Sequence, residues 1–205
     1  MNRLAKDMDI LPSDEILVKR AKEGDKSSFD ELYQKYKKRI LNYIYRMVGN
    51  QMIAEELTQD TFVRAYMHLR DYRERHTFSA WLYKIAHNLV MNELRVCKPD
   101  VSLDEPLVVG DETIRLIDTV VNGTTAPDLI AKSHELREAI QKVLNSLSAE
   151  HRRVLVLCDI QGLSYEEVSE ILDINVGTVA SRLSRAREQF NRKLRIEYDL
   201  DKDVV

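Results

Sequence analysis

The chain has little of what secreted, metal-binding or membrane-embedded proteins are built from. Its 205 residues include 2 cysteines, 4 prolines, 6 glycines and 1 tryptophan. Cys97 and Cys158 are too few and too far apart for a disulfide framework or a C-x-x-C metal site. Cys158 ends the apolar run Val154-Leu155-Val156-Leu157-Cys158 and reads as a small packed hydrophobe. No apolar run reaches the roughly 18 residues that a bilayer-spanning helix needs. The first residues, MNRLAKDMDILPSDE, lack the apolar stretch of a signal peptide, so the expected compartment is the cytoplasm. His68, His76, His87, His134 and His151 fit no ligand spacing, and neither a metal nor a cofactor is expected. Sparse glycine and proline, few alternating runs and many apolar repeats at i, i+3 and i+4 predict an all-α fold.

The formal charge of -3 argues at first against nucleic acid, but the signs are unevenly placed. Between Val176 and Arg195, the cations Arg182, Arg185, Arg187, Arg192, Lys193 and Arg195 face Glu188 alone. Between Asp100 and Glu135, eight acids stand against Arg115 and Lys132. One segment is basic and another acidic.

The basic segment follows a helix start. Ser164 and Glu167 form the S-x-x-E capping box, in which each side chain satisfies an orphan amide near the first turn. Val168, Ile171 and Leu172 give that helix one apolar face, Asp173-Ile174-Asn175 breaks the period, and a second helix begins near Val176. Its buried stripe is Val179, Leu183, Ala186 and Phe190. The other side carries Thr178, Ser181, Arg182, Ser184, Arg185 and Arg187, short polar groups and guanidinium forks suited to base edges and phosphates in a major groove. A helix-turn-helix explains the pattern better than a plain αα-hairpin with a solvated face.

Upstream, Ser13, Asp14 and Glu15 open a helix that ends at Gly24-Asp25, and a long helix follows from about Ser27 to Val48. Phe29, Leu32, Tyr33, Tyr36, Ile40, Ile44 and Met47 form its core face, and Lys35, Lys37, Lys38 and Arg39 a solvated one. After Gly49-Asn50, a third helix packs Ala54, Leu57, Thr58, Phe62, Ala65, Tyr66 and Leu69. It turns Glu55, Glu56, Gln59, Asp60 and Arg64 outward, a surface suited to a basic protein partner. The loop from Asp71 to Thr77 carries Tyr72, Arg73, Arg75 and His76. The helix after it buries Phe78, Trp81, Leu82, Ile85 and Leu89 and presents Lys84, His87, Asn88, Met91 and Arg95. Cations beside an amide and an aromatic-bearing loop suit single-stranded nucleic acid.

From Pro99 to Pro127 the helical pattern fails, and a loop of this length is uncommon inside a compact domain. Ile114, Leu116, Ile117, Val120 and Val121 are apolar enough for a short docking helix. The expected organisation is two small helical domains joined by a flexible acidic linker. An extension covers residues 1–13, the first domain 14–98, the linker 99–127, the second domain 128–197 and a tail 198–205. Leu129, Leu136, Ile140, Val143, Leu144 and Leu147 mark the first helix of the second domain; Ser148 caps the next, whose Val154, Leu155 and Leu157 pack under the helix-turn-helix.

In this arrangement the chain resembles an extracytoplasmic-function (group IV) sigma factor of bacterial RNA polymerase, from about Asp14 to Leu194. AEELTQDTFVRAY resembles the family's core-binding helix, FSAWLYKIAHNLVMNELR its minus-10 reader and GLSYEEVSEILDINVGTVASRLSRAR its minus-35 reader. The resemblance implies an alternative sigma factor that binds core polymerase, reads both promoter elements and melts DNA, with no enzymatic activity and no small-molecule substrate. It implies that Glu55, Glu56, Gln59, Asp60 and Arg64 dock on the β′ clamp helices and that the second domain meets the β flap. Tyr72, Arg73, Arg75, His76, Lys84, Asn88 and Arg95 would bind the minus-10 non-template strand and capture a flipped base; Thr178, Ser181, Arg182, Ser184, Arg185 and Arg187 would bind the minus-35 duplex. The linker would run toward the active-site and RNA-exit region, its acidity imitating nucleic acid. An anti-sigma factor would mask both domains and could hold the otherwise uninserted protein at the membrane.

Four positions depart from the family pattern. Ala180 stands where a cation is common, Ser184 where a bulkier contact can occur, Ser169 where a small alanine is usual, and LSAEHR replaces L-P-x-x-x-R while keeping Arg152. The rival reading is a stand-alone helix-turn-helix regulator, which would bind duplex DNA without polymerase, typically as a dimer. A helical hydrolase using His68, Asp71 and His76 lacks a paired base and nucleophile with a supporting third group.

Overall fold

A computed structural model describes residues 12–73, 75–97 and 127–198. Among them are eight α-helices and no strand: α1 (Asp14–Lys22), α2 (Lys26–Val48), α3 (Gln51–Met67), α4 (Phe78–Cys97), α5 (Pro127–Ser146), α6 (Ala149–Leu155), α7 (Tyr165–Leu172) and α8 (Val176–Tyr198). The expected linker up to residue 126, its apolar Ile114 to Val121 stretch, residues 1–11 of the extension and the tail beyond Tyr198 lie outside the described residues.

Local chemistry sets the helix limits. Asp25 caps α2 by accepting from the Ser27 amide at 3.0 Å, and Asn50 caps α3 by accepting from Ile53 at 3.2 Å. Gly49 ends α2 in the left-handed region, φ 73°, which costs a residue without Cβ little. The position is also crowded: a Cβ there would meet Asn145 Nδ2 of α5 at 3.0 Å.

The first four helices bury Leu32, Ile40, Tyr43, Ile44, Met47 and Ala54 completely. The last four, with the turn that follows α6, bury Val154, Leu155, Val156, Leu157, Val168, Val179 and Phe190 just as fully. Cys158 is buried there as expected, and burial pushes its thiol up to about 12, which keeps it protonated. After α6 the chain continues as a π-helical turn, Val156–Ile160, that brings Gln161 against the first domain. Arg39 Nη2 donates to the Gln161 carbonyl at 2.9 Å, and the Tyr83 hydroxyl donates to Gln161 Oε1 at 2.8 Å.

A second junction is built on Arg152, which is 9% exposed. Its guanidinium donates to the Met47 carbonyl at the end of α2 at 2.9 Å and to the Asn145 carbonyl at the end of α5 at 2.6 Å. One cation therefore serves two helix C-termini, where carbonyls lack intrahelical partners and the helix dipole is negative. The two helical domains are in direct contact.

Candidate functional site

The outward face of α3 is built by its inward one. Ala54, Leu57, Thr58, Thr61, Phe62 and Ala65 are buried, and the Thr58 and Thr61 hydroxyls donate back to carbonyls four residues earlier. Glu55, Glu56, Gln59, Asp60 and Arg64 are all exposed. Met52, Val63 and Met67 share that face and are 75%, 56% and 71% exposed, so the surface is apolar as well as acidic. Their helical spacing with Glu56 and Gln59 is present in the sequence, but apolar residues at such steps are equally the pattern of a core face. Tyr66, expected in the core, is half exposed and meets Phe29 only at its ring edge.

In the loop after α3, Tyr72 departs from its expected role. It is buried, donates from its hydroxyl to the His76 carbonyl at 2.6 Å and packs against Phe78 and Trp81. Lys22 Nζ holds the Tyr72 carbonyl at 2.6 Å. A short loop crossing the end of a bundle needs an internal anchor, and Tyr72 is that anchor, not a surface for base stacking. Arg73, Arg75 and His76 are exposed around it. Beside them a cavity of about 620 Å³ opens, walled by Asp14, Glu15 and Val18 of α1 and by Arg75, His76 and Thr77 of the loop. The contribution of α1 to this cavity was not legible in the sequence, since it arises from a long-range docking of Asp14 onto Tyr36 and Lys35.

Along α4, Lys84, Asn88 and Arg95 are exposed and Met91 partly so, in one stripe spaced by four, three and four residues. Arg95 lies about 16 Å farther along the axis than Lys84 at 1.5 Å per residue, so it is not gathered into the loop site. His87 was expected on this stripe but is buried, its Nδ1 3.0 Å from the Tyr43 hydroxyl. Burial, with Arg153 and Lys84 nearby, lowers its pKa to about 4 and leaves the ring neutral. The buried arc of α4 is wider than its periodicity indicated because Tyr83 reaches the second domain while Leu82 and Leu89 fill the first.

The capping box of α7 is formed in both directions: the Glu167 amide donates to Ser164 Oγ at 3.2 Å and the Ser164 amide to Glu167 Oε2 at 3.0 Å. Asp173 makes the turn in the left-handed region, φ 56°. In α8, Val179, Leu183, Ala186 and Phe190 are buried as expected. Ser181, Ser184 and Arg185 are exposed and Thr178 is partly so. Arg182 Nη2 pairs with Glu150 at 3.0 Å. Arg187 departs from its expected groove position. Nine residues after Thr178, it points about 180° away at 3.6 residues per turn, and its guanidinium forks onto Asp159 at 2.8 and 3.0 Å. No group of histidine, cysteine or carboxylate side chains able to hold a metal occurs among the described residues.

Two family models match the chain in order, Sigma-70 region 2 over residues 32–96 and Sigma-70 region 4 over residues 137–190. The ECF RNA polymerase sigma factor SigW of Bacillus subtilis (strain 168) is 38% identical over 178 residues, 87% of this chain and 95% of SigW. The chain belongs to the ECF sigma factors of the sigma-70 family. It is an alternative sigma factor, directing promoter-specific transcription initiation. The ECF sigma-E factor of Escherichia coli (strain K12) is 31% identical over 185 residues, 89% of this chain and 94% of that protein. Among solved structures, CnrH in complex with the cytosolic domain of CnrY aligns with a TM-score of 0.61 at 26% identity, covering 92% of this chain and 99% of CnrH. RpoE from Bartonella quintana, in complex with the anti-sigma factor NepR, shares the fold at a TM-score of 0.58 and 22% identity, covering 85% of this chain and 98% of RpoE.

Proposed function

We propose that this sigma factor divides its work among three surfaces. The apolar and acidic face of α3, from Met52 to Met67, docks on the β′ clamp helices of core polymerase. Arg73, Arg75, His76, Lys84 and Asn88 hold the non-template strand of the minus-10 element, and one base leaves the stack for the cavity beside His76. The N-terminal half of α8 enters the minus-35 major groove with Thr178, Ser181, Ser184 and Arg185, while Arg182 reaches a phosphate when released from Glu150. Arg187 braces the helix from behind. The expected domain limits, 14–98 and 128–197, accord with this division.

The observation that carries the proposal is that α3, the Lys84 and Asn88 stripe of α4 and α8 expose these surfaces on helices whose opposite faces are buried, while the loop bearing Arg73, Arg75 and His76 is pinned by the buried Tyr72. Rigid elements of this kind place side chains more reproducibly than loops do. The same division favours a polymerase-dependent reader over a stand-alone regulator, because much of the exposed apolar area lies on α3, away from the helix-turn-helix. Run-off transcription with core polymerase tests it: added sigma factor is expected to give a discrete transcript from a cognate promoter, and the isolated protein little specific duplex binding. Failure to co-elute with core enzyme on gel filtration would sink the proposal.

The complexes of CnrH with CnrY and of RpoE with NepR support an anti-sigma partner for this chain too. Among the described residues no helix is long and apolar enough to cross a membrane. Residence in the cytoplasm beside the polymerase, with any membrane attachment made through the anti-sigma factor, follows from that partner set.

A further inference from the structure

Of the three arginines between Val176 and Glu188, Arg187 pairs with Asp159 and Arg182 with Glu150. The two pairs differ in how far water is kept out. The Asp159 side chain is 5% exposed, whereas that of Glu150 is 55% exposed and that of Arg182 28%. A buried carboxylate keeps its cation, but a partly exposed pair is weakly held and gives way to other anions. Arg187 is fixed, and Arg182 is releasable.

The fold sets where Glu150 stands. Ser148 caps α6 by accepting from the His151 amide at 3.3 Å, and Glu150 lies in the first turn, where the helix dipole favours an acid. Thr178, Arg182 and Gln189 share one flank of α8, at steps of four and seven residues. The first turn of α6 lies along that flank: Arg182 Nη2 is 3.0 Å from Glu150 Oε2, and His151 Nδ1 is 3.1 Å from Gln189 Oε1. Arg153, about one turn farther along α6, lies in the field of both members of the pair. The Glu150 carboxylate draws Arg182 toward α6; without it, the Arg153 guanidinium repels Arg182 toward the groove rim.

We propose that Glu150 is a specificity-determining residue of the minus-35 reader, an internal competitor that yields Arg182 to a DNA phosphate only when α8 is fully seated in its cognate groove. On any other duplex the protein is loosely placed, binding rests on phosphate neutralisation, and the tethered Glu150 is the nearer anion. On the cognate element, base contacts from Ser181 and Arg185 seat the helix in one place, which holds one phosphate steadily beside Arg182. Glu150 thus withdraws one cation from non-specific binding and leaves it available to specific binding. The inference rests on the placement of α8 in the minus-35 groove.

The test uses holoenzyme reconstituted with the full chain and two short duplexes that lack a minus-10 element. One carries the minus-35 element of a promoter that this holoenzyme transcribes, and the other carries that element scrambled. Fluorescence anisotropy gives affinity as a function of salt, and each phosphate neutralised by a cation adds about 0.9 to the slope of log affinity against log salt. Glu150→Gln keeps the side chain's size and removes its charge. It is expected to steepen the slope on scrambled DNA by about 0.9, to tighten that binding about fivefold near 0.1 M salt, and to leave the slope on cognate DNA unchanged. Discrimination between the duplexes should fall accordingly. In an Arg182→Ala background the same substitution should alter neither slope, which separates release of Arg182 from the general loss of a negative charge near DNA. Equal tightening on both duplexes, or the same steepening without Arg182, overturns the role of Glu150. If wild-type holoenzyme binds the two duplexes alike, the groove assignment fails along with it. If wild type discriminates and Glu150→Gln leaves the ratio unaltered, the role of Glu150 alone fails.

Discussion

Arg187 and Asp159 form a two-pronged ion pair, 2.8 Å from Nη2 to Oδ1 and 3.0 Å from Nε to Oδ2, that ties α8 to the π-helical turn. The Asp159 side chain is 5% exposed and that of Arg187 is 35% exposed. A buried carboxylate with a bidentate guanidinium is costly to uncouple, which makes this arginine a brace and separates it from its exposed neighbour Arg185.

Arg187→Ala is accordingly expected to destabilise the protein by about 2–4 kcal/mol, because it strands a buried carboxylate. Asp159→Asn should cost less, since it leaves no buried charge. Urea unfolding followed by circular dichroism measures both. Promoter discrimination by the surviving folded fraction should stay unchanged, and a selective loss at one base position would restore Arg187 to the groove.

Arg185 predicts the opposite pattern. It is exposed on the same face as Thr178 and Ser181, so Arg185→Ala should leave thermal stability unaltered. A bidentate base contact would cost about 1–3 kcal/mol of minus-35 discrimination when removed, as read by transcription from promoters varied at each position. A uniform loss across all sequences would make it a phosphate contact.

The contrast between Arg185 and Arg187 shows how far the sequence could be read. The eight helices, the capping box of Ser164 and Glu167 and the stripe from Val179 to Phe190 follow from local periodicity and caps, which act within a few residues. The partners of Arg187, His87 and Tyr72 lie on other elements or in an aromatic cluster. Nothing in a helical wheel distinguishes a guanidinium aimed at solvent from one aimed at Asp159. Nor does periodicity place Glu170 against His76, a contact that depends on how two domains meet.

On α3 the exposed apolar residues lead to a different measurement. Val63→Asp and Met67→Asp put charge into the C-terminal half of the proposed docking face without touching the core, where Phe62 and Ala65 remain buried. Truncation at a docking hot spot costs about 2 kcal/mol or more, so affinity for core polymerase should fall at least about thirtyfold by fluorescence titration. Melting temperature should hold. Undiminished affinity would move the docking surface off α3.

His87 gives a pH dependence. Its pKa is lowered by burial to about 4 in the folded chain, against 6.5 unperturbed. The unfolded state therefore binds more protons between these values, and stability rises with pH across that window. Acidification from pH 6.5 toward 4 should remove up to about 1.4 kcal/mol of stability per pH unit through this group. His87→Gln should flatten that part of the stability profile relative to wild type. An unchanged slope would assign the acid sensitivity to other groups.

Asn88 is exposed midway along α4, in the stripe that runs from Lys84 to Arg95. Its amide holds two donors and an acceptor, the equipment for reading a base edge. Alanine is a better helix former at such a position, so Asn88→Ala should leave the fold intact or slightly stabilised. If the amide rewards an unpaired base, its loss removes part of the energy that offsets unstacking, a few kcal/mol per extruded base. Core binding and closed-complex formation should then persist while permanganate reactivity of unpaired thymines falls. The defect should shrink on a promoter already mismatched across the minus-10 element, where the strand is open before the protein arrives. Normal melting on fully paired DNA would remove Asn88 from the strand-reading surface and leave Arg73, Arg75, His76 and Lys84 to account for it.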